Sequence, residues 1–155
     1  MTSRVLRASV LFAAVLGFSQ EAAVPWPESA SLDPADLAKT LRSAAKKPPI
    51  ICVAFPVLYR SRHITGAVLA GPGNRSDGIE ALKKAVAALP KDGELVIYCG
   101  CCPMERCPNI RPAYQTLKEM GFTKIRVLRI PTNMSADWYS KDYPSEAGPA
   151  GGTGQ

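Results

Sequence analysis

Beyond its first twenty residues this 155-residue sequence lacks any apolar run approaching the roughly 20 residues that span a bilayer, so no transmembrane helix is expected there. It also lacks a basic stripe. Lysine and arginine outnumber acids 19 to 13, but Lys46-Lys47 and Lys83-Lys84 are the only adjacent pairs and the rest are scattered. That pattern describes a solvated surface and argues against a nucleic-acid partner, although the net charge of +6 favours small anionic substrates. Internal repeats are missing, as is the pair of Cys-x-x-Cys knuckles of common zinc modules. The Cys–Arg spacing that wraps a phosphate dianion is missing too. Six residues separate Cys99 from Arg106 and four separate Cys101 from it, which sets a phosphatase aside. With 46% apolar and 21% charged residues, the chain has the composition of one ordinary globular domain.

The N-terminus has the layout of a secretion signal. Arg4 and Arg7 form a positive segment, Ala8 to Phe18 an apolar one, and Gly17 and Ser19 supply small residues before a cleavage point at Gln20. Residues 1–19 are therefore expected to be a signal peptide, with the mature protein exported to a periplasm or secreted. No cysteine follows that apolar segment, so neither a lipid anchor nor stable membrane association is expected after cleavage. Residues 20–30, with Pro25 and Pro27, read as a linker, and 147–155, rich in glycine, as a disordered tail. That leaves 31–146 for the domain.

Within it, apolar strand-like runs alternate with helical spacing. Ser31 or Asp33 caps a helix with Pro34 in its first turn, and Pro48-Pro49 stops it. Residues 50–55 and 95–98 read as strands buried on both faces, with shorter strands at 67–70 and 125–128. Helical periodicity covers 79–89, Ala113 to Met120 ahead of a Gly121 cap, and 136–141. Such alternation predicts an α/β domain: a central parallel sheet with helices on both faces.

The chemistry is concentrated in Cys99-Gly100-Cys101-Cys102-Pro103-Met104-Glu105-Arg106-Cys107, between the strongest strand and the next helix. Ligands of open α/β sheets bind at carboxyl strand ends. A helix N-terminus favours thiolate over thiol, so a cysteine there is expected to be nucleophilic. Arg106 and Arg111 are candidates to bind an oxyanion. Three thiolates from Cys99, Cys101 or Cys102, and Cys107, with Cys52 or His63 as a fourth ligand, would instead suit zinc or copper. A third use is redox, with Cys99 or Cys101 attacking and Cys107 resolving. Five cysteines leave at least one unpaired within one chain.

Val96-Ile97-Tyr98-Cys99, the loop, and Ala113 to Phe122 together resemble the active-site strand, loop and helix of rhodanese-like sulfurtransferases. His63-Ile64-Thr65-Gly66-Ala67 is similar to that family's Gly-His-Ile-Pro-Gly-Ala segment, and Trp138 and Tyr143-Pro144 to its closing residues. The resemblance covers about 48–146 and implies a three-layer rhodanese-like fold. It implies that a loop thiolate takes sulfane sulfur from an anionic donor such as thiosulfate and passes it, as a persulfide, to a thiol or cyanide-like acceptor, without a cofactor. Position directly after the strand names Cys99 as nucleophile; counting back from Arg106 names Cys101. Arg106, Arg111 and the amides around Gly100 and Cys102 would bind the anion, and His63 would be structural. The family's early Asp-x-Arg is replaced by Cys52-Val53-Ala54, and the Gly-Gly after the last strand is absent at Ile130-Pro131.

Overall fold

The computed structural model describes residues 25–148. In chain order the elements are β1 (Ser31–Leu32), α1 (Pro34–Ser43), β2 (Ile50–Cys52), α2 (Pro56–Ser61), β3 (His63–Ile64), β4 (Ala67–Leu69) and α3 (Ser76–Val86). They continue as β5 (Glu94–Tyr98), α4 (Ile110–Glu119), β6 (Lys124–Leu128), α5 (Met134–Asp137) and β7 (Ser145–Glu146), with 3₁₀ turns at Glu28–Ala30, Met104–Arg106 and Tyr139–Lys141.

Local chemistry accounts for the main boundaries. Asp33, rather than Ser31, caps α1: its side chain accepts the Ala35 N–H at 2.9 Å, and Pro34 fills the first helical position, where its missing N–H costs nothing. Ser31 instead sits in β1, opposite Val127. The helix ends at Ser43, before Pro48-Pro49, because Ala44 turns extended. At the end of α4, Gly121 adopts φ +87° while its N–H reaches Lys118 O and that of Phe122 reaches Leu117 O, a Schellman cap.

Other limits move. The run 50–55 is buried through Ala54, but only 50–52 is strand, because Pro56 opens α2 and forces Phe55 extended. The 79–89 periodicity belongs to α3, which starts at Ser76 and ends at Val86; Leu89 closes a turn back onto Val86 O. Expected as one helix, 136–141 is split at Trp138, whose fully buried indole donates to Pro144 O at 3.1 Å. Of the segment read as a linker, 25–30 lies against the domain: Trp26 is buried, its ring 5.6 Å from that of Tyr114. At the other end Gly148 N–H reaches Arg60 O. The segment read as a signal peptide, residues 20–24 and the remainder of the tail lie outside the described residues. Among the described residues no helix is long and apolar enough to cross a membrane.

Five strands form a parallel sheet in the order β1-β6-β5-β2-β4, and β3 and β7 pair antiparallel beside it. The central α/β sheet is as the alternation predicted. Crossovers β1 to β2 and β2 to β4 run one way along the sheet; β4 to β5 and β5 to β6 run back. Right-handed connections then put α1 and α2 on one face and α3 and α4, which pack together, on the other. After β2 the chain leaves towards β4, and after β5 towards β6. The order reverses between these adjacent strands, so a crevice opens at their carboxyl ends, beside Cys52 and Cys99.

Candidate functional site

At that crevice lies a cleft of about 410 Å³. Cys52, Cys99 and Cys101 reach it from the strand ends, Tyr59 and Tyr139 from the elements above, and Arg62 lies on its lining as the cation. Arg62 stacks over the Tyr139 ring at 4.7 Å and donates to Ser145 Oγ at 2.9 Å. Sequence reasoning looked for the cation in the loop. Arg106 is exposed, and Arg111 donates to Glu105 O at 3.1 Å; neither lines the cleft.

Gly100 starts the loop at φ +79°, and its carbonyl accepts the Met134 N–H. Met104 N–H is held by Ile130 O at 2.8 Å. Asp137, buried, accepts from the N–H groups of Thr132 and Asn133 and so fixes the segment that lies over Gly100. These bonds draw four cysteines together, with Cys99 and Cys107 buried, Cys102 half-buried and Cys101 exposed. The Sγ atoms of Cys99, Cys101 and Cys107 lie within 4.8 Å of one another, Cys99 and Cys101 at 3.1 Å. Cys102 Sγ is 3.3 Å from Cys101 and also meets Cys107. Cys52, bonded to Tyr98, stands outside this group; burial pushes its thiol up to about 11, so it is neutral.

The thiols are not equivalent. Cys107 is held down to about 6, chiefly by a hydrogen bond from the Cys99 thiol, then by the N–H groups of Asn109 and Ile110 at the start of α4. Cys99 is pushed up by the same bond and by burial, so of the two sulfurs it holds its proton more tightly. Cys102 rises to about 12, burial first and the bond to Cys101 second. Because the Cys107 pKa is lowered, its charge is present at neutral pH and lost as pH falls through about 6. A pH titration of thiolate absorbance in the reduced protein should show one thiol ionising near pH 6, a step absent from Cys107→Ser. A first step only at the ordinary thiol value of about 8.5 would overturn this assignment.

Asn109 is the residue that sequence reasoning missed. Its side chain is fully buried and donates Nδ2 to Cys99 Sγ at 3.3 Å, with Cys101 Sγ at 4.0 Å, while Oδ1 accepts the Asn74 N–H. A capping-type residue ahead of α4 was the available signal. His63 Nδ1 donates to Tyr59 O at 2.8 Å, the two rings stack at 3.7 Å, and Nε2 faces Glu146, which fits a structural role.

A family model described as a rhodanese-like domain matches residues 33–129. Solved structures of similar fold include the rhodanese-like domain of a protein from Anabaena sp., 22% identical over 81% of this chain and 89% of that one, with a TM-score of 0.55. Another is the polysulfide-sulfur transferase homodimer of Wolinella succinogenes, 19% identical over 81% of this chain and 83% of that one, TM-score 0.55. At such identities the likeness is one of fold. No curated protein sequence matches significantly.

Proposed function

This chain belongs to the rhodanese-like domain family, and from that premise we propose that it is a sulfurtransferase carrying sulfane sulfur as a persulfide on Cys99. The observation that supports it is the position of Cys99 at the carboxyl end of β5, with the open cleft on one side and the Cys107 sulfur on the other. In this reading the Cys99 sulfur attacks the outer sulfur of a donor such as thiosulfate while its proton passes to the Cys107 thiolate. The bond between the two donor sulfurs breaks, sulfite leaves, and Cys99 is left as a persulfide anion; charge and atoms balance with no oxidant. A thiol or cyanide-like acceptor then takes the terminal sulfur, and the proton returns to Cys99.

Asn109 Nδ2 and the Cys101 N–H, both aimed at Cys99 Sγ, stabilise the anion as it forms. Arg62 supplies positive charge beside the entering donor, the part that the sequence suggested for Arg106 and Arg111, which lie outside the cleft. The Arg4/Arg7 segment with its apolar sequel supports a protein working after export, where Cys107 held reduced is a condition of activity.

Intact mass spectrometry of the reduced protein before and after thiosulfate tests the proposal. The expected result is a gain of one sulfur, removed by reductant and mapped to Cys99. No gain in fully reduced protein, with either thiosulfate or polysulfide as donor, would end it.

A further inference from the structure

Three sulfurs converging on one point, two buried and one open to the cleft, form more than a nucleophile needs. We infer that Cys99, Cys101 and Cys107 form a three-thiolate site for a soft monovalent cation, copper(I). This goes beyond sulfur transfer and competes with it for the same sulfur.

Geometry comes first. Thiolates about 2.3 Å from a shared ion in one plane stand about 4 Å apart, inside the 4.8 Å limit of this group. Cys99 and Cys101 must separate from 3.1 Å, and Cys101, exposed on the loop, is free to shift. Each sulfur already faces N–H donors: Asn109 Nδ2 for Cys99 and, more distantly, Cys101, and the amides of Asn109 and Ile110 for Cys107. Outer donors of this kind orient thiolate ligands and disperse their charge. Asn109 is pinned for the task by the Asn74 N–H on its other end.

The donor set then selects the ion. All three ligands are soft, and His63 is engaged with Tyr59 and Glu146. Behind Cys99 and Cys107 the wall is Met104, Ile110, Leu128 and Ile130 with Cys102 beside them; the Cys102 sulfur falls outside the converging group of three, and no side chain of the wall offers an oxygen ligand. Zinc prefers four ligands in closed sites; copper(I) is satisfied by three in an apolar wall. Binding is not a redox step: the cation enters as copper(I), displaces the thiol protons, and leaves a complex of charge −2 that the N-terminus of α4 offsets.

The test is an anaerobic titration of the reduced full chain with copper(I) buffered by bicinchoninate. Thiolate-to-copper absorption gives the stoichiometry and X-ray absorption the number of sulfur neighbours. We expect one ion per chain on three sulfurs. Cys101→Ser should lower the count to two, and Asn109→Ala should weaken binding about 10–100-fold at an unchanged count. Cys52→Ser should bind as the parent does. Circular dichroism confirms that each variant is folded.

Copper loading should also block persulfide formation, with recovery when a stronger chelator strips the ion. No capture from bicinchoninate, an ion on two sulfurs in the parent chain, or a four-sulfur zinc site formed in preference would each overturn the inference. None of these would touch the persulfide result, and failure to form a persulfide in metal-free protein would leave the copper site standing.

Discussion

Cys99→Ala is expected to remove persulfide formation and cut the rate of sulfite release from thiosulfate by on the order of a thousandfold or more, as losing a covalent nucleophile does elsewhere. The chain should still fold. Cys99 is 5% exposed, so alanine removes one buried atom's worth of packing, about 1 kcal/mol. Asn109 Nδ2 also loses its nearest acceptor and keeps only Cys101 at 4.0 Å, a cost of about 1–3 kcal/mol for an under-satisfied buried donor. Against a typical stability of about 5–15 kcal/mol that leaves a folded, inactive protein.

The same variant chooses between the two candidate nucleophiles. Cys101 is exposed and lies on the cleft, so a donor can reach it. If Cys99→Ala keeps its rate and Cys101→Ala loses it, the persulfide belongs on Cys101. The two variants must be read together, because each thiol sits 3.1 Å from the other.

Much of the fold was legible because its long elements repeat simple patterns. Leu95 to Tyr98 is buried on both faces and reads as an unbroken apolar run; α1 announces itself by Asp33 and Pro34. What escaped were elements with no periodicity of their own. In α2 no residue is buried, and Val57 and Leu58 face outwards, so it has no apolar stripe to detect. The two-residue strands β1, β3 and β7 exist through pairing with partners about as far off in sequence as Ser31 is from Val127.

The site divides along a similar line. A cluster of cysteines after a buried strand and before a helix can be read from residue order. Which sulfur carries the charge cannot, because it depends first on the Cys99 thiol donating to Cys107 and then on the N–H groups of Asn109 and Ile110 that also face Cys107. The cation of the cleft is likewise set by tertiary placement: Arg62 arrives from the end of α2, while Arg106, nearer in sequence, faces solvent.

Gly100→Ala should be the most damaging single-methyl change in the loop, and two independent costs explain why. At φ +79° any residue with a Cβ is strained by about 1–2 kcal/mol. The new Cβ would also stand 2.1 Å from Met134 Cγ and 3.1 Å from its Sδ, and overpacking of that kind costs about 1–3 kcal/mol. Together they predict a fall in Tm on the order of 10 °C. Met134→Ala separates the two: it carries a cavity cost of its own, because Met134 is buried, but measured against Met134→Ala alone the Gly100→Ala change should cost only the backbone strain, about half of its effect in the parent chain. The functional effect should exceed the loss of stability. Gly100 O holds the Met134 N–H, and any displacement there moves Cys99 relative to Cys107, the bond along which the proposed proton transfer runs. Gly100→Ala is therefore expected to raise the Cys107 ionisation towards the ordinary thiol range even at temperatures where the variant is folded. A variant that keeps both the parental Tm and the low Cys107 titration would show that the loop does not depend on the Gly100–Met134 contact.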